Sequence, residues 1–268
     1  MTLSGLKPRR FLRPHGFNIL ITQCLSHTTC KSITISKRAG DWYIAFAYDV
    51  VTEENVKSYP SVGVDLGINA LATLSTGVVF ENPKVYRKAQ KLLARRQRRL
   101  QRKQKVSNRY RKQKNLIAKT HKRVSDIRLD NTHKATTHIC QNHAIVAIEN
   151  LNVKGMLSNH KLAGAISDAG FYEFRRQLEY KCTKFGSKLV VVDRWYPSSK
   201  TCSNCGHKQE MPLKERVFNC ANCGHRLNRD LNAAKNLNNY AINTEGLPVS
   251  ERGGLIAPTL PCETLNNV

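Results

Sequence analysis

Four cysteines, Cys202, Cys205, Cys220 and Cys223, stand as C-x2-C-x14-C-x2-C, and no other feature of the chain restricts its local fold as tightly. Each pair lies within one turn of backbone, so the four thiolates can close a tetrahedron around a single zinc ion. The next carboxylate, Asp230, follows seven residues after Cys223. A zinc ribbon at this place would pin the backbone and brace an acidic residue able to bind a second kind of metal. His207 and His225 stand two residues after Cys205 and Cys223, but four thiolates already complete the shell, so neither is read as a ligand.

Charge narrows the partner. The chain of 268 residues carries 44 Lys and Arg against 19 Asp and Glu, a net charge of +25. Such an excess repels itself in the folded state unless a polyanion neutralises it, which points to nucleic acid ahead of an anionic membrane surface. No apolar run reaches the length of about 18 residues that a membrane span needs, and the start MTLSGLKPRRFLRPHG lacks the apolar core of a signal peptide. The other five cysteines, Cys24, Cys30, Cys140, Cys182 and Cys262, are scattered and odd in number. The expectation is therefore a reducing, cytoplasmic and nucleoid-associated protein with structural zinc, not a disulfide scaffold. A GxxxxGKS phosphate loop and a Ser/His/Asp arrangement are both lacking, so nucleotide hydrolysis and acyl transfer have no support.

Alternation and turn signals predict strands over Lys31 to Ser36 and Trp42 to Val51, joined at Ala39-Gly40-Asp41, with a weak strand signal at Phe17 to Ile21 before them. SVGVDLG, ALATLST and GVVFEN predict an antiparallel meander from Ser61. Lys84 to Arg123 holds 18 Lys or Arg and no Asp or Glu. Its sparse leucines suit a helical hairpin breaking near Ser107-Asn108, and helix is expected to continue from Asp126 to Cys140. A solvated face mixes signs to avoid i,i+4 repulsion, so one sign over this length favours a phosphate-tracking surface, with Arg95, Arg96, Arg98, Arg99, Arg102 and Lys103 as its contacts.

Ala144 to Asn150 predicts a buried strand ending in Glu149. Asn159 to Ala169 reads as a polar loop, with Ser167 capping a helix whose apolar face is Phe171, Phe174, Leu178, Cys182 and Phe185. Gly186 ends that helix, KLVVVDR is a strand, and NRDLNAAKNL is a last helix with Asp230 in its first turn. Trp195 and Tyr196 suit either base stacking or packing under the ribbon. Asp65, Glu149 and Asp230 thus fall at two strand ends and one helix start, beside segments that share a core. On spacing alone an acid after a strand is more often a turn or cap residue, but carboxylates brought together from distant segments can hold two magnesium ions, and that convergence brings the two readings level.

The strings GVDLGINALATLSTG, AIENLNVKGML, SDAGFYEFRRQLEYK, VVVDRWYPSSKTCSNCG and NRDLNAAKNL resemble the C-terminal half of the OrfB/TnpB proteins of prokaryotic insertion sequences, relatives of type V CRISPR effectors. The resemblance runs from about Ser32 to Tyr240. It implies an α/β fold: an RNase H-like (RuvC) nuclease core with inserted basic helices and a zinc ribbon, preceded by a small β remnant of a wedge domain. It implies catalytic roles for Asp65, Glu149 and Asp230 with Mg2+ or Mn2+, zinc on the four cysteines, a DNA target and a guide RNA from the transposon end. Asp193 is read as structural and paired with Arg194, and Asn232 as a support one helical turn from the site.

The expected layout is a partial wedge-like region at 1–60 and a first nuclease portion at 61–200 containing the basic insert 84–140. The ribbon at 201–224, the last core helix at 225–243 and a disordered tail at 244–268 complete it. Only about sixty residues precede the first catalytic strand, so the family's recognition domain and first wedge strands are expected to be absent. A second expectation follows from that shortness: a non-cleaving nucleic-acid-binding remnant or regulator of a mobile element.

Overall fold

A computed structural model gives the fold and describes residues 30–49, 56–212 and 214–245. The expected strand at Phe17 to Ile21 and the tail beyond Glu245 lie outside the described residues. The chain divides into two units, residues 1–52 and 53–268. In the first, β1 (Cys30–Arg38) pairs antiparallel with β2 (Asp41–Tyr48). Ala39 and Gly40 join them with φ of 53° and 92°, the double left-handed geometry that matches strand twist in a two-residue hairpin.

The second unit is built on a five-stranded sheet. β3 (Tyr59–Leu66), β4 (Ala70–Leu74) and β5 (Val79–Glu81) form the expected antiparallel meander, and β6 (His143–Glu149) and β7 (Lys188–Val192) extend it in parallel. The strand order is β5-β4-β3-β6-β7. Alternation divides the strand side chains between two faces. Val62, Val64, Val146 and Ile148 pack on one face with Ala135 and Ile139 of α2 (Asn108–Asn142) and with Phe174 and Leu178 of α5 (Phe171–Phe185). Phe174 and Leu178 are fully buried, each contributing about 1.5–3 kcal/mol by leaving water. Ile145, Ala147, Val190 and Val192 pack with Leu237 and Ala241 of α6 (Arg229–Glu245).

The basic run forms α1 (Val85–Gln101) and the first half of α2. Their break falls where Ser107 accepts a hydrogen bond from Tyr110 N at 3.1 Å, capping α2. The hairpin is locked internally: Arg96 Nη1 donates to Leu116 O at 2.7 Å and to Thr120 Oγ1, and Gln113 Nε2 donates to Arg96 O at 3.0 Å.

The expected loop at Asn159 to Ala169 is instead one helix, α4 (His160–Ala169), which follows the short α3 (Val153–Leu157). Asn159 caps α4 by accepting from Lys161 N at 3.2 Å, and Ile166 and Ala169 are buried. Gly164 inside α4 weakens its helical signal by about 1 kcal/mol relative to alanine, which explains the misreading. Ser167 lies within α4 and caps nothing; Gly170, at φ 70°, ends α4 and opens α5. The neighbouring Asp168 is an anchor that sequence reasoning missed. Its buried carboxylate accepts from Tyr86 N at 3.1 Å and Arg128 Nε at 2.7 Å, capping α1 from outside while holding α2.

Candidate active site

The sheet register brings the first two acids together. Gly63 is paired with Ala147 and Val64 with Ile148, so Asp65 and Glu149 are the next positions along adjacent parallel strands. Alternation turns both toward the face that α6 covers, since Ala147 packs there against Leu237 and Ala241. The third acid arrives because that face has a gap. A Cβ on Gly63 would overlap the carbonyl oxygen of Ala234 and lie 2.6 Å from Asn238 N, so only glycine lets α6 lie this close to β3. Asp230 is four residues before Ala234, one turn back along the same helix face, toward Asp65.

Electrostatics agrees with the geometry. Burial, then the charges of Asp230 and Glu149, push the Asp65 carboxyl well above the usual carboxylate range, against a smaller pull from Arg229. Burial also raises Glu149. Asp230 is half-buried, and its nearest basic partner is Arg216 Nη1 at 4.0 Å. Three acids facing one another with little cationic compensation form a place where a cation is favoured. The trio is more widely spread than the cysteines: among the described residues, only the four cysteines place one ligand atom each within 4.8 Å of all the others.

Those cysteines come from two matching turns. Cys202 N donates to His207 O at 2.8 Å and Gly206 N to Cys202 O at 2.9 Å; Cys220 N donates to His225 O at 2.9 Å and Gly224 N to Cys220 O at 3.0 Å. Gly206 and Gly224 take φ of 75° and 69°, which a side chain would resist. The histidines thus serve through their backbones. Sγ atoms of Cys202 and Cys223 are 3.7 Å apart, and those of Cys205 and Cys220 3.6 Å. A tetrahedron with sulfur about 2.3 Å from a central ion has edges of about 3.8 Å, so the donor set can hold a metal such as zinc. The His207 backbone N–H holds the Cys205 thiol down at about 6, whereas burial pushes Cys202 up to about 11.

The cysteine unit is joined to α6 without a linker. β8 (Val217–Asn219) pairs with β9 (Arg226–Asn228), and α6 begins at the next residue. Asn228 Oδ1 caps it, accepting from Asp230 N at 2.9 Å and Leu231 N at 3.2 Å. Asn232, expected to support the acids, instead grips the first cysteine turn: its Oδ1 accepts from Ser203 N at 2.9 Å and its Nδ2 donates to Thr201 O at 2.7 Å. Asn236 repeats the grip with donations to Ser198 O at 2.7 Å and Thr201 O at 2.6 Å. Their spacing of four, on the helix face that also carries Ala233 and Leu237, was the available signal for buried polar clamps.

The Asp193 carboxylate accepts from Trp195 N at 2.8 Å and makes no ion pair with Arg194 among the described residues. Trp195 is 84% exposed, whereas Tyr196 packs edge-on against Tyr240, with ring centroids 5.1 Å apart. Of the basic candidates, Arg95, Arg98, Arg99 and Arg102 are exposed and Lys103 is half-buried. Arg96 is turned into the hairpin as described.

Two family profiles account for most of this unit. OrfB_IS605, described as "Probable transposase", matches residues 45–160, and the "Cas12f1-like, TNB domain" matches residues 171–237. The chain belongs to the OrfB/TnpB family. A Streptomyces pristinaespiralis relative is 41% identical over 85% of this chain and 56% of its own length, and an Escherichia coli K12 relative is 40% identical over 77% and 56%. Both bear the name "Putative RNA-guided DNA endonuclease", the second with the suffix InsQ. The chain thus spans little more than half the length of these OrfB/TnpB relatives. A solved CRISPR-Cas12f ternary complex shares 19% identity over 84% of this chain and 48% of its own, at a TM-score of 0.49.

Proposed function

We propose that this OrfB/TnpB chain is an RNA-guided DNA endonuclease of a mobile element, with an RNase H-like (RuvC) core whose acids Asp65, Glu149 and Asp230 are the catalytic groups. The observation that carries the reading is the seating of α6 on Gly63, which directs Asp230 toward the two acids at the ends of β3 and β6. A sheet of three antiparallel strands extended by two parallel ones supports the RNase H-like assignment. The relatives' names support DNA as target and RNA as guide. We further propose the transposon end as the guide's source and the prokaryotic cytoplasm, at the nucleoid, as the place of action. No described helix is long and apolar enough to cross a membrane.

The acids fit divalent cations, Mg2+ or Mn2+, because bound positive charge relieves their mutual repulsion while keeping them ionised. Two ions about 4 Å apart would suit carboxylates spread more widely than a single-ion shell. Such ions supply an activated water and a stabilised leaving oxygen. Asp65, Glu149 and Asp230 would hold the ions, each acid fixed by its strand end or helix turn. Zinc on Cys202, Cys205, Cys220 and Cys223 would stiffen the segment entering α6. The exposed Arg95, Arg98, Arg99 and Arg102, together with Lys103, would track phosphates on guide or target.

Purified protein with transposon-end RNA and a matching DNA target should cut in magnesium. Replacing any one of Asp65, Glu149 or Asp230 by Ala should lower the rate by about a thousandfold or more while nucleic-acid binding persists, and the three losses should not add. A wild type that binds both nucleic acids but never cuts in magnesium or manganese would leave the non-cleaving remnant in its place.

A further inference from the structure

A second polar site lies at the opposite end of β3 from the acids. A groove of about 750 Å³ is lined there by Tyr59, Ser61, Lys235, Asn238, Asn239 and Asn243, together with the first cysteine turn and His225. From Ser61 to Asp65 is four residues of strand, about 13 Å, so a group seated in the groove is not the one facing the acids. No carboxylate lines the groove, which is unusual space for a purely structural cleft in which Lys235 would want a counter-charge.

Two of its lining residues carry a buried side-chain atom with no hydrogen-bond partner among the described residues: Ser61 Oγ on β3 and Asn238 Oδ1 on α6. A buried polar atom without a partner costs about 1–3 kcal/mol, so the groove favours a guest that can satisfy them. Asn238 Oδ1 is an acceptor and requires a donor. A phosphate carries only acceptors at neutral pH and cannot supply one, whereas a ribose hydroxyl can. Lys235 offers the matching cation for a phosphate, Asn239 and Asn243 are exposed amides along the rim, and Tyr59 is 51% exposed with one ring face resting on His143 at 5.2 Å. Phosphate, sugar hydroxyl and base thus each have a complementary group.

We propose that this groove seats a ribonucleotide unit of a single-stranded RNA and discriminates it from DNA through the 2′-hydroxyl. The inference rests on the RNA-guided reading for its partner but not on cleavage, so it is tested by binding alone, in EDTA. Short RNA, DNA and 2′-O-methyl RNA oligonucleotides of one sequence are titrated against the full chain by fluorescence anisotropy. The basic helices contact phosphates common to all three probes, so the ratio of affinities isolates the groove. RNA should bind about tenfold more tightly than DNA, and the 2′-O-methyl probe, which lacks the donor hydrogen, should fall near DNA.

Asn243→Asp and Asn239→Asp, both at exposed positions, place a carboxylate on the rim and should weaken RNA binding about tenfold. Asn238→Leu removes the acceptor and should erase the RNA preference, and circular dichroism checks its folding. A photoreactive 4-thiouridine RNA should crosslink to peptides within 225–243. Equal affinity for RNA and DNA in the wild type, RNA binding unchanged within twofold by both rim variants, or crosslinks confined to α1 and α2 would each overturn the proposal. Loss of cutting with an intact RNA preference would count against the nuclease reading alone.

Discussion

Cys202, Cys205, Cys220 and Cys223 come from 22 consecutive residues, whereas Asp65, Glu149 and Asp230 are drawn from a span of 166. The cysteine cluster needs only two tight turns, each closed by its own backbone hydrogen bonds and a left-handed glycine. The acidic cluster needs a parallel strand register, a glycine gap and a helix seated in it. One site is therefore a property of a segment and the other a property of the fold. Their dependence on the rest of the molecule should differ accordingly, and α6, which grips the first cysteine turn through Asn232 and Asn236 and packs on Gly63, is where the two meet.

The largest expected effect lies on the local side. Structural zinc in a four-cysteine site contributes on the order of 10 kcal/mol of apparent binding energy to the folded segment. Elemental analysis of reduced wild-type protein should find about one zinc per chain, and Cys202→Ser less than half of that. Limited proteolysis of the variant should open the chain between Thr201 and Asn228 while the sheet survives. Full zinc content in the variant would break the assignment of the cluster as one site.

Gly63→Ala probes the other side. The added Cβ meets backbone, not a flexible side-chain end, so α6 must move, at a cost of about 3 kcal/mol in urea denaturation. Manganese binding should weaken with it, and zinc content should stay at the wild-type level. Loss of both metals together would show that the clusters are not separable.

Asp168→Asn should cost about 2 kcal/mol in thermal unfolding, because Arg128 keeps a hydrogen-bond acceptor but loses its opposite charge in a largely buried setting. Neither metal should be affected, since the change loosens α1 and α2 and not α6. The smallest effect is a pH dependence. Hydrogen bonds from Arg176, with a further one from Gln177, hold the Glu173 carboxyl down at about 2 from its usual 4.5. Its contribution is fully present above the unfolded value near 4.5 and is lost as pH falls toward 2. Glu173→Gln should therefore flatten the acid limb of stability slightly without altering stability at pH 7 by more than a few tenths of a kcal/mol.

What could be read from the sequence follows the same division. The cysteine spacing and the amphipathic face Phe171, Phe174, Leu178 and Cys182 are local patterns, and both survive in the structure. Asp65 and Glu149 were visible as acids at strand ends, but their adjacency depends on β3 pairing with β6 between residues 84 apart in sequence, which no local signal encodes. Asp168 read as an ordinary polar residue because its partners, Tyr86 and Arg128, lie 82 and 40 residues away. Asn232, read as a support for the acids, and Asn236 hold Ser203, Thr201 and Ser198, partners that come near only when the ribbon folds back over the helix. The run at Asn159 to Ala169 was misjudged for the opposite reason: glycine and polar content outweighed a cap and two buried apolar positions that become decisive only when a core is present.

The seamless passage from β9 into α6 gives the ribbon an angular role. An α-helix advances by about 100° per residue, and Asn228 fixes where that rotation begins. The number of residues between Cys223 and Asp230 is therefore a phase setting, like the indexing of a gear, and not the length of a tether. One residue more or fewer would leave Asp230 where the seating of α6 on Gly63 puts it, while turning the ribbon about a quarter of the way round the helix axis, out of the grip of Asn232 and Asn236.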